Sequence, residues 1–146
     1  MFALLLGATI TLESLDLTKM IQDWGSPGVA KSVDGHPLTI GGTVYTHGVG
    51  THASSDFIIN LRSGAKGFTA KVGVDDETKG RGSVRFEVFV DGRKAADSGI
   101  VRTGERSRNI AVSLAGARKL ELVVEPGASG KGGQDRVAKF LQPKLR

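Results

Sequence analysis

A chain of 146 residues, with 39% apolar side chains, 21 glycines and no cysteine, is long enough for one ordinary domain with its own core. The absence of cysteine excludes a disulfide framework, thiol catalysis and cysteine-ligated metals, and no stretch reaches the ~20 apolar residues of a membrane-spanning helix. The net charge of +5 is uneven, with Lys and Arg outnumbering acids in residues 101–146, but these bases are scattered and the aromatics that would stack nucleobases are few, so they read as solvated strand faces and not as a nucleic-acid surface.

Met1 to Ala8 is an apolar lead-in or signal-peptide remnant without a positive n-region, and residues 9–146 read as a single domain. Ile10 and Leu12 suggest the first strand. Leu15, Leu17, Met20, Ile21 and Trp24 after Asp16 predict one short helical turn. Asp34-Gly35 marks a turn before Pro37, and Gly41-Gly42 between Leu38–Ile40 and Thr43–Tyr45 reads as a two-residue hairpin. Phe57, Ile59 and Leu61 form a strand face.

Period-two alternation then dominates the chain. It runs through Phe68, Ala70, Val72 and Val74, then Val84, Phe86, Val88 and Val90. It continues in Ile110, Val112 and Leu114, and in Leu120, Leu122 and Val124. Each run places one face on a core and the other outward. Asp91-Gly92 starts a further hairpin, Gly116 closes the Ile110 strand, and residues 127–134 are a loop by composition. Eight or nine short strands joined by turns predict an all-β fold, an antiparallel β-sandwich whose two inner faces supply the core.

Catalytic constellations are poorly supported. His52, Ser54, Ser55 and Asp56 are close in sequence, but neighbours on a strand point to opposite faces and there is no G-x-S-x-G elbow. His36, His47 and His52 lack the i, i+4 spacing of a helical zinc site. Asp75-Asp76-Glu77 ends a clean strand, and three adjacent carboxylates need a cation or donors to offset their repulsion. Calcium takes oxygen ligands from such loops, with Asp75 as the candidate ligand; the alternative is a solvated acidic turn neutralised by Lys79 and Arg81. Adjacent acids on one loop do not span the cleft of a glycosidase. Gly127 to Gly133 fails the P-loop spacing. The chain therefore reads as a non-enzyme. Gly48 and Gly50 bracket Val49 just before His52, which reads as a tight connection with a buried, hydrogen-bonded histidine.

That segment also carries a family resemblance. Tyr45 with Gly48-Val49-Gly50-Thr51-His52-Ala53 resembles the most specific motif of the NPCBM domain, carbohydrate-binding module family 51. Ser32-Val33-Asp34-Gly35 with Pro37 to Gly42 is similar to the opening block of that family, and Leu15 to Gly25 to its lead-in. Phe68 to Glu77 and Gly82 to Gly92 resemble its central strands, and Asp97-Ser98-Gly99 and Leu120 to Val124 its later ones. One departure stands out. Where the family has Asp-His followed closely by Trp, this chain keeps Asp135, has Arg136 in place of His, and offers Phe140 in place of Trp.

The resemblance implies a galactose-binding-like jelly roll and a non-catalytic module accessory to a secreted or cell-surface bacterial glycoside hydrolase. It implies glycan ligands ending in galactose or related sugars, and a structural Ca²⁺. Sugar recognition needs fixed donors and acceptors beside an apolar platform. The expected polar contacts are His52, Asp76, Glu77 and Asp135, with Arg136 as a donor; Trp24, Tyr45 and Phe140 are the platform candidates. The altered C-terminal motif motivates an alternative, a structural or protein-interaction sandwich that has lost its sugar site. Binding of nucleic acid or another polyanion by the basic C-terminal third is a third reading, set aside with membrane association.

Overall fold

The computed structural model describes residues 10–22, 26–29, 31, 35–61, 65–76, 82–127 and 137–145, with the backbone alone described at Glu13 and throughout 137–145. The lead-in at Met1 to Ala8 lies outside the described residues. The first strands are β1 (Ile10–Thr11), β2 (Ile21–Gln22), β3 (Gly28–Val29), β4 (Leu38–Ile40), β5 (Thr43–Tyr45), β6 (Gly48–His52) and β7 (Ser55–Asn60). They are followed by β8 (Gly67–Val74), β9 (Ser83–Val90), β10 (Arg93–Arg102), β11 (Arg108–Ser113), β12 (Lys119–Pro126) and β13 (Val137–Leu145). Two antiparallel sheets result. A six-stranded sheet has the order β11-β8-β13-β6-β3 with β1 also paired to β13, and a five-stranded sheet has the order β10-β9-β12-β7-β2. Strands β4 and β5 form a separate hairpin.

The alternating runs build the core between these sheets. Phe68, Ala70, Val72 and Val74 of β8 meet Val84, Phe86 and Val88 of β9, Leu120, Leu122 and Val124 of β12, and Phe57 and Ile59 of β7 in one buried cluster. Burying each large apolar side chain contributes roughly 1.5–3 kcal/mol. The two-residue hairpins form where the turn chemistry predicts them. Gly41 and Gly42 have φ of 55° and 82°, and Asp91 and Gly92 have 49° and 83°, the left-handed pair that lets a turn follow the strand twist. The Asp91 carboxylate also accepts from the backbone N–H of Arg118 at 3.0 Å and of Lys119 at 2.9 Å, tying that turn to β12.

Several elements depart from the sequence reading. The first strand stops at Thr11, and Leu12 opens a 3₁₀ turn that drives its side chain fully into the core. The helical turn after Asp16 is confined to Leu17–Lys19, started by the Asp16 carboxylate accepting from the Thr18 N–H at 3.1 Å; Ile21 belongs instead to β2 on the edge of the smaller sheet. The Gly48–His52 segment is not a connection but a wholly buried strand between β13 and β3. Its two glycines erase the side-chain alternation by which a strand is read. Strand β13 is equally hidden in the sequence, because Pro143 interrupts it; the pairing to β8 shifts register between Leu141 and Lys144.

On the five-stranded sheet, Glu121 lies diagonally across from Asp56, since Val123 pairs with Asp56 and Glu121 with Ile58. Burial first, then the charge of Asp56 and a hydrogen bond with it, raise the Glu121 carboxyl above its ordinary value. A raised value in the fold means the folded domain holds this proton more tightly than the unfolded chain does. The stabilisation is present at acid pH and is lost as pH rises through the folded-state value. Glu121→Gln is therefore expected to stabilise the domain at pH 7 by about 0.5 kcal/mol or less on this solvent-screened face, seen as a higher melting temperature, and to give no gain at pH 4. Thermal melts of both proteins at the two pH values check this.

Candidate functional site

One end of the six-stranded sheet gathers residues far apart in sequence. Strand β6 ends there at His52, β8 ends there at Val74, and β13 begins there at Val137. Val137 pairs with His52, and Ala138 pairs with both Thr51 and Val74. The register thus brings His52, Asp75, Asp76 and the start of β13 to a common edge. His52 is 4% exposed, held at the end of a strand whose five residues are all buried. Beside it, the Thr51 hydroxyl donates to Gln22 Oε1 at 2.9 Å, linking β6 to the strand that edges the other sheet.

The acidic residues after β8 act on the β4–β5 hairpin. Asp75, 1% exposed, accepts the Thr39 N–H at 3.1 Å. Asp76 places one carboxylate oxygen 3.0 Å from the Gly41 nitrogen and the other 2.8 Å from the Gly42 nitrogen. Successive N–H groups in a turn form a small concavity suited to an anion, and here the anion is a side chain of the same molecule. The hairpin lies over the outer face of β8, where Ile40 packs on Gly73. Leu38 and Ile40 are buried there in a small cluster of their own, with Tyr45 against it.

The other candidates separate from this edge. The Tyr45 hydroxyl is 3.2 Å from Ser107 Oγ and lines a pocket of about 290 Å³ with Lys71, Arg106 and Asn109. Phe140 occupies the register row of Val49 and Val72, both core residues. Asp56 is on β7, in the sheet opposite His52, so the His52–Asp56 neighbours in sequence belong to different layers. Trp24, Glu77, Asp135 and Arg136 lie outside the described residues, as do Lys79 and Arg81.

With the fold and the strand-end geometry established, comparison with known proteins is decisive. The family model described as NPCBM/NEW2 domain matches residues 8–146. The chain belongs to the NPCBM/NEW2 family. The structure of CBM51 from Clostridium perfringens GH95 in complex with methyl-galactose superposes with a TM-score of 0.86 at 29% identity, covering 95% of this chain and 100% of that one. A provisionally named endo-alpha-N-acetylgalactosaminidase of Renibacterium salmoninarum is 35% identical over 99 residues, 68% of this chain and 7% of that protein. Alpha-1,3-galactosidase B of Akkermansia muciniphila is 29% identical over 124 residues, 82% of this chain and 15% of that protein. The chain thus spans a small part of the length of these two relatives. Family and fold make it a carbohydrate-binding module and not a catalyst.

The donor set of this NPCBM/NEW2 domain bears on the expected calcium ion. Both Asp76 oxygens face backbone N–H donors, and one Asp75 oxygen does the same. Among the described residues no three His, Cys, Asp or Glu side chains converge as metal ligands. Sequence reasoning also passed over the residues around Tyr45. Lys71 carries a faint signal, as an outward position in an alternating strand. Arg106 and Ser107 carry none, because a loop brings them to Lys71 from another part of the chain.

Proposed function

We propose that this NPCBM/NEW2 domain binds terminal galactose on glycans and serves as an accessory module of a secreted bacterial glycoside hydrolase. The observation that carries the proposal is the end-to-end likeness to a galactose-bound CBM51 module. The similarity to parts of two far longer proteins with glycosidase names supports the accessory role. In this reading His52 reads sugar hydroxyls at the strand end. Glu77, which follows Asp76, and Asp135 and Arg136, which precede Val137, add polar contacts, and Trp24 supplies an apolar face. Asp76 serves by holding the hairpin that flanks the edge. A shallow site of this kind buries little surface, so one copy binds on the order of 0.1–1 mM, strengthened by avidity on repeated glycans.

Methyl-galactoside titration followed by amide NMR tests the proposal. His52→Ala is expected to weaken binding at least tenfold, about 1.4 kcal/mol, while the spectrum keeps its dispersion. Unchanged affinity in that variant counts against the assignment. Arg136 in place of the family's histidine favours a second reading, a sandwich that has lost sugar binding; Arg donates hydrogen bonds but accepts none. Silence of the folded wild-type domain across a broad glycan array would establish it.

A further inference from the structure

On the outer face of the six-stranded sheet, away from the strand end, the β4–β5 hairpin and the loop between β10 and β11 enclose the pocket of about 290 Å³. Its floor is a cross-strand pair, Lys71 of β8 opposite Asn109 of β11. One wall is the hairpin, from Ile40 to Tyr45; the other is Arg106 and Ser107. Tyr45 and Ser107 join the walls through their hydroxyls at 3.2 Å. The floor lies in the register row of Gly48 and not of His52, roughly 13 Å along the strands and two strands across.

The lining has two cations and no acid. Glu105, the nearest acid in sequence, is committed to Arg108, 2.8 Å away, and Asp76 is held by the hairpin turn. Among the described residues neither Lys71 nor Arg106 takes part in an ion pair. Lys71 is half-buried at the floor of the pocket, and Arg106 stands exposed at its wall. The remaining groups are those that read a polar ring. Asn109 offers both a donor and an acceptor, Ser107 and Thr43 offer hydroxyls, and Tyr45 offers an aromatic edge with a hydroxyl. The volume is at the lower end of small-ligand sites, enough for one ring and not for a chain of them. Apolar lining is almost confined to Ile40, which disfavours a hydrophobic ligand.

We infer that this pocket is a second binding site, for a monosaccharide carrying an anionic group, either a carboxylate or a sulfate ester. Arg106 presents a planar fork to the anionic oxygens, and Lys71 neutralises the charge from the floor. Tyr45, Ser107 and Asn109 hold the ring hydroxyls. The module then grips an acidic glycan at two places, with neutral sugar at the strand end and acidic sugar beneath the hairpin. Tyr45, a platform candidate in the sequence, lines this pocket, and none of the strand-end contacts named in the proposed function does, so each reading stands or falls separately.

Amide NMR titration of the whole chain with galactose 6-sulfate, N-acetylneuraminic acid, galactose and inorganic sulfate tests this. At least one acidic sugar is expected to shift the amides of Thr43, Tyr45, Lys71, Ser107 and Asn109, and to bind several-fold more weakly as salt rises from 50 to 200 mM. Which of the two does so distinguishes sulfate from carboxylate. Lys71→Met with Arg106→Met, which keeps much of both apolar stems, is expected to weaken that binding at least tenfold. The shifts that methyl-galactoside causes near His52 should remain in that variant. Three results would overturn the inference: acidic sugars that leave the pocket amides unmoved, full affinity in the double variant, or inorganic sulfate alone binding as tightly as the acidic sugars.

Discussion

Gly73→Val is expected to destabilise the domain by about 2 kcal/mol, a fall of roughly 4–8 °C in melting temperature, and to lift the β4–β5 hairpin from the sheet. Two effects oppose each other. A β-branched residue suits a strand, and replacing glycine removes backbone freedom from the unfolded chain, together a gain of about 1 kcal/mol. Against this, a Cβ at position 73 would sit 2.8 Å from both Cδ1 and Cγ2 of Ile40. The two atoms are on different branches of a stiff β-branched side chain, so no single rotamer change clears both. Ile40 is itself 1% exposed and cannot retreat into solvent without opening its cluster with Leu38. Overpacking of this kind costs about 1–3 kcal/mol before the γ carbons of Val are counted, and it exceeds the gain. Ile40→Ala combined with Gly73→Val should cost less than the two single losses added together, because the smaller side chain leaves room for the larger one. A melting temperature for the double variant equal to the sum of the single losses would mean that the strain lies elsewhere.

This contact shows where the sequence is legible and where it is not. The sandwich is legible because water enforces it locally: Phe68, Phe86, Leu120 and their alternating neighbours are apolar because one face of each strand is dry. Turn chemistry is legible for the same local reason at Gly41-Gly42 and Asp91-Gly92, where a left-handed conformation selects the residue. Strand β6 is not legible, since glycine at 48 and 50 leaves no side chain to display a face. Its burial comes from β13, whose partner segment begins 85 residues later. The Ile40–Gly73 contact is of this second kind. In sequence Gly73 weakens a strand, and only the hairpin laid over it from outside supplies the reason for it. The strand-end site was half legible. His52 and the acidic run stand out by composition, but only the distances show that Asp75 and Asp76 anchor the backbone of the β4–β5 hairpin.

Asp76→Ala makes that anchoring measurable. The variant is expected to lose about 1.5–3 kcal/mol, the range for hydrogen bonds that engage a charged partner, with the lower half favoured because the turn is near solvent. Its two bonds end on adjacent N–H groups that the β4–β5 pairing leaves unused, since that pairing closes at Ile40 opposite Thr43. Water can replace the carboxylate there, but it cannot restrain the turn against β8. The hairpin would then remain attached mainly by Ile40 on Gly73, by the Asp75–Thr39 bond and by the Tyr45–Ser107 contact. Asp76→Asn should recover less than half of the loss, because its amide offers one acceptor and turns an NH₂ toward the second N–H. Faster amide exchange in the variant should be confined to the hairpin, with Thr39 to Tyr45 opening well below the global unfolding free energy while β8, β9 and β12 stay protected. If Asp76 instead acted only as a ligand for sugar, removing it would leave both the melting temperature and the hairpin amides unchanged and would reduce galactoside affinity alone. The distances of 3.0 and 2.8 Å to Gly41 and Gly42 favour the first outcome, because each Asp76 oxygen already accepts from a backbone donor of the hairpin turn, and removing the carboxylate breaks both bonds whether or not a sugar is bound.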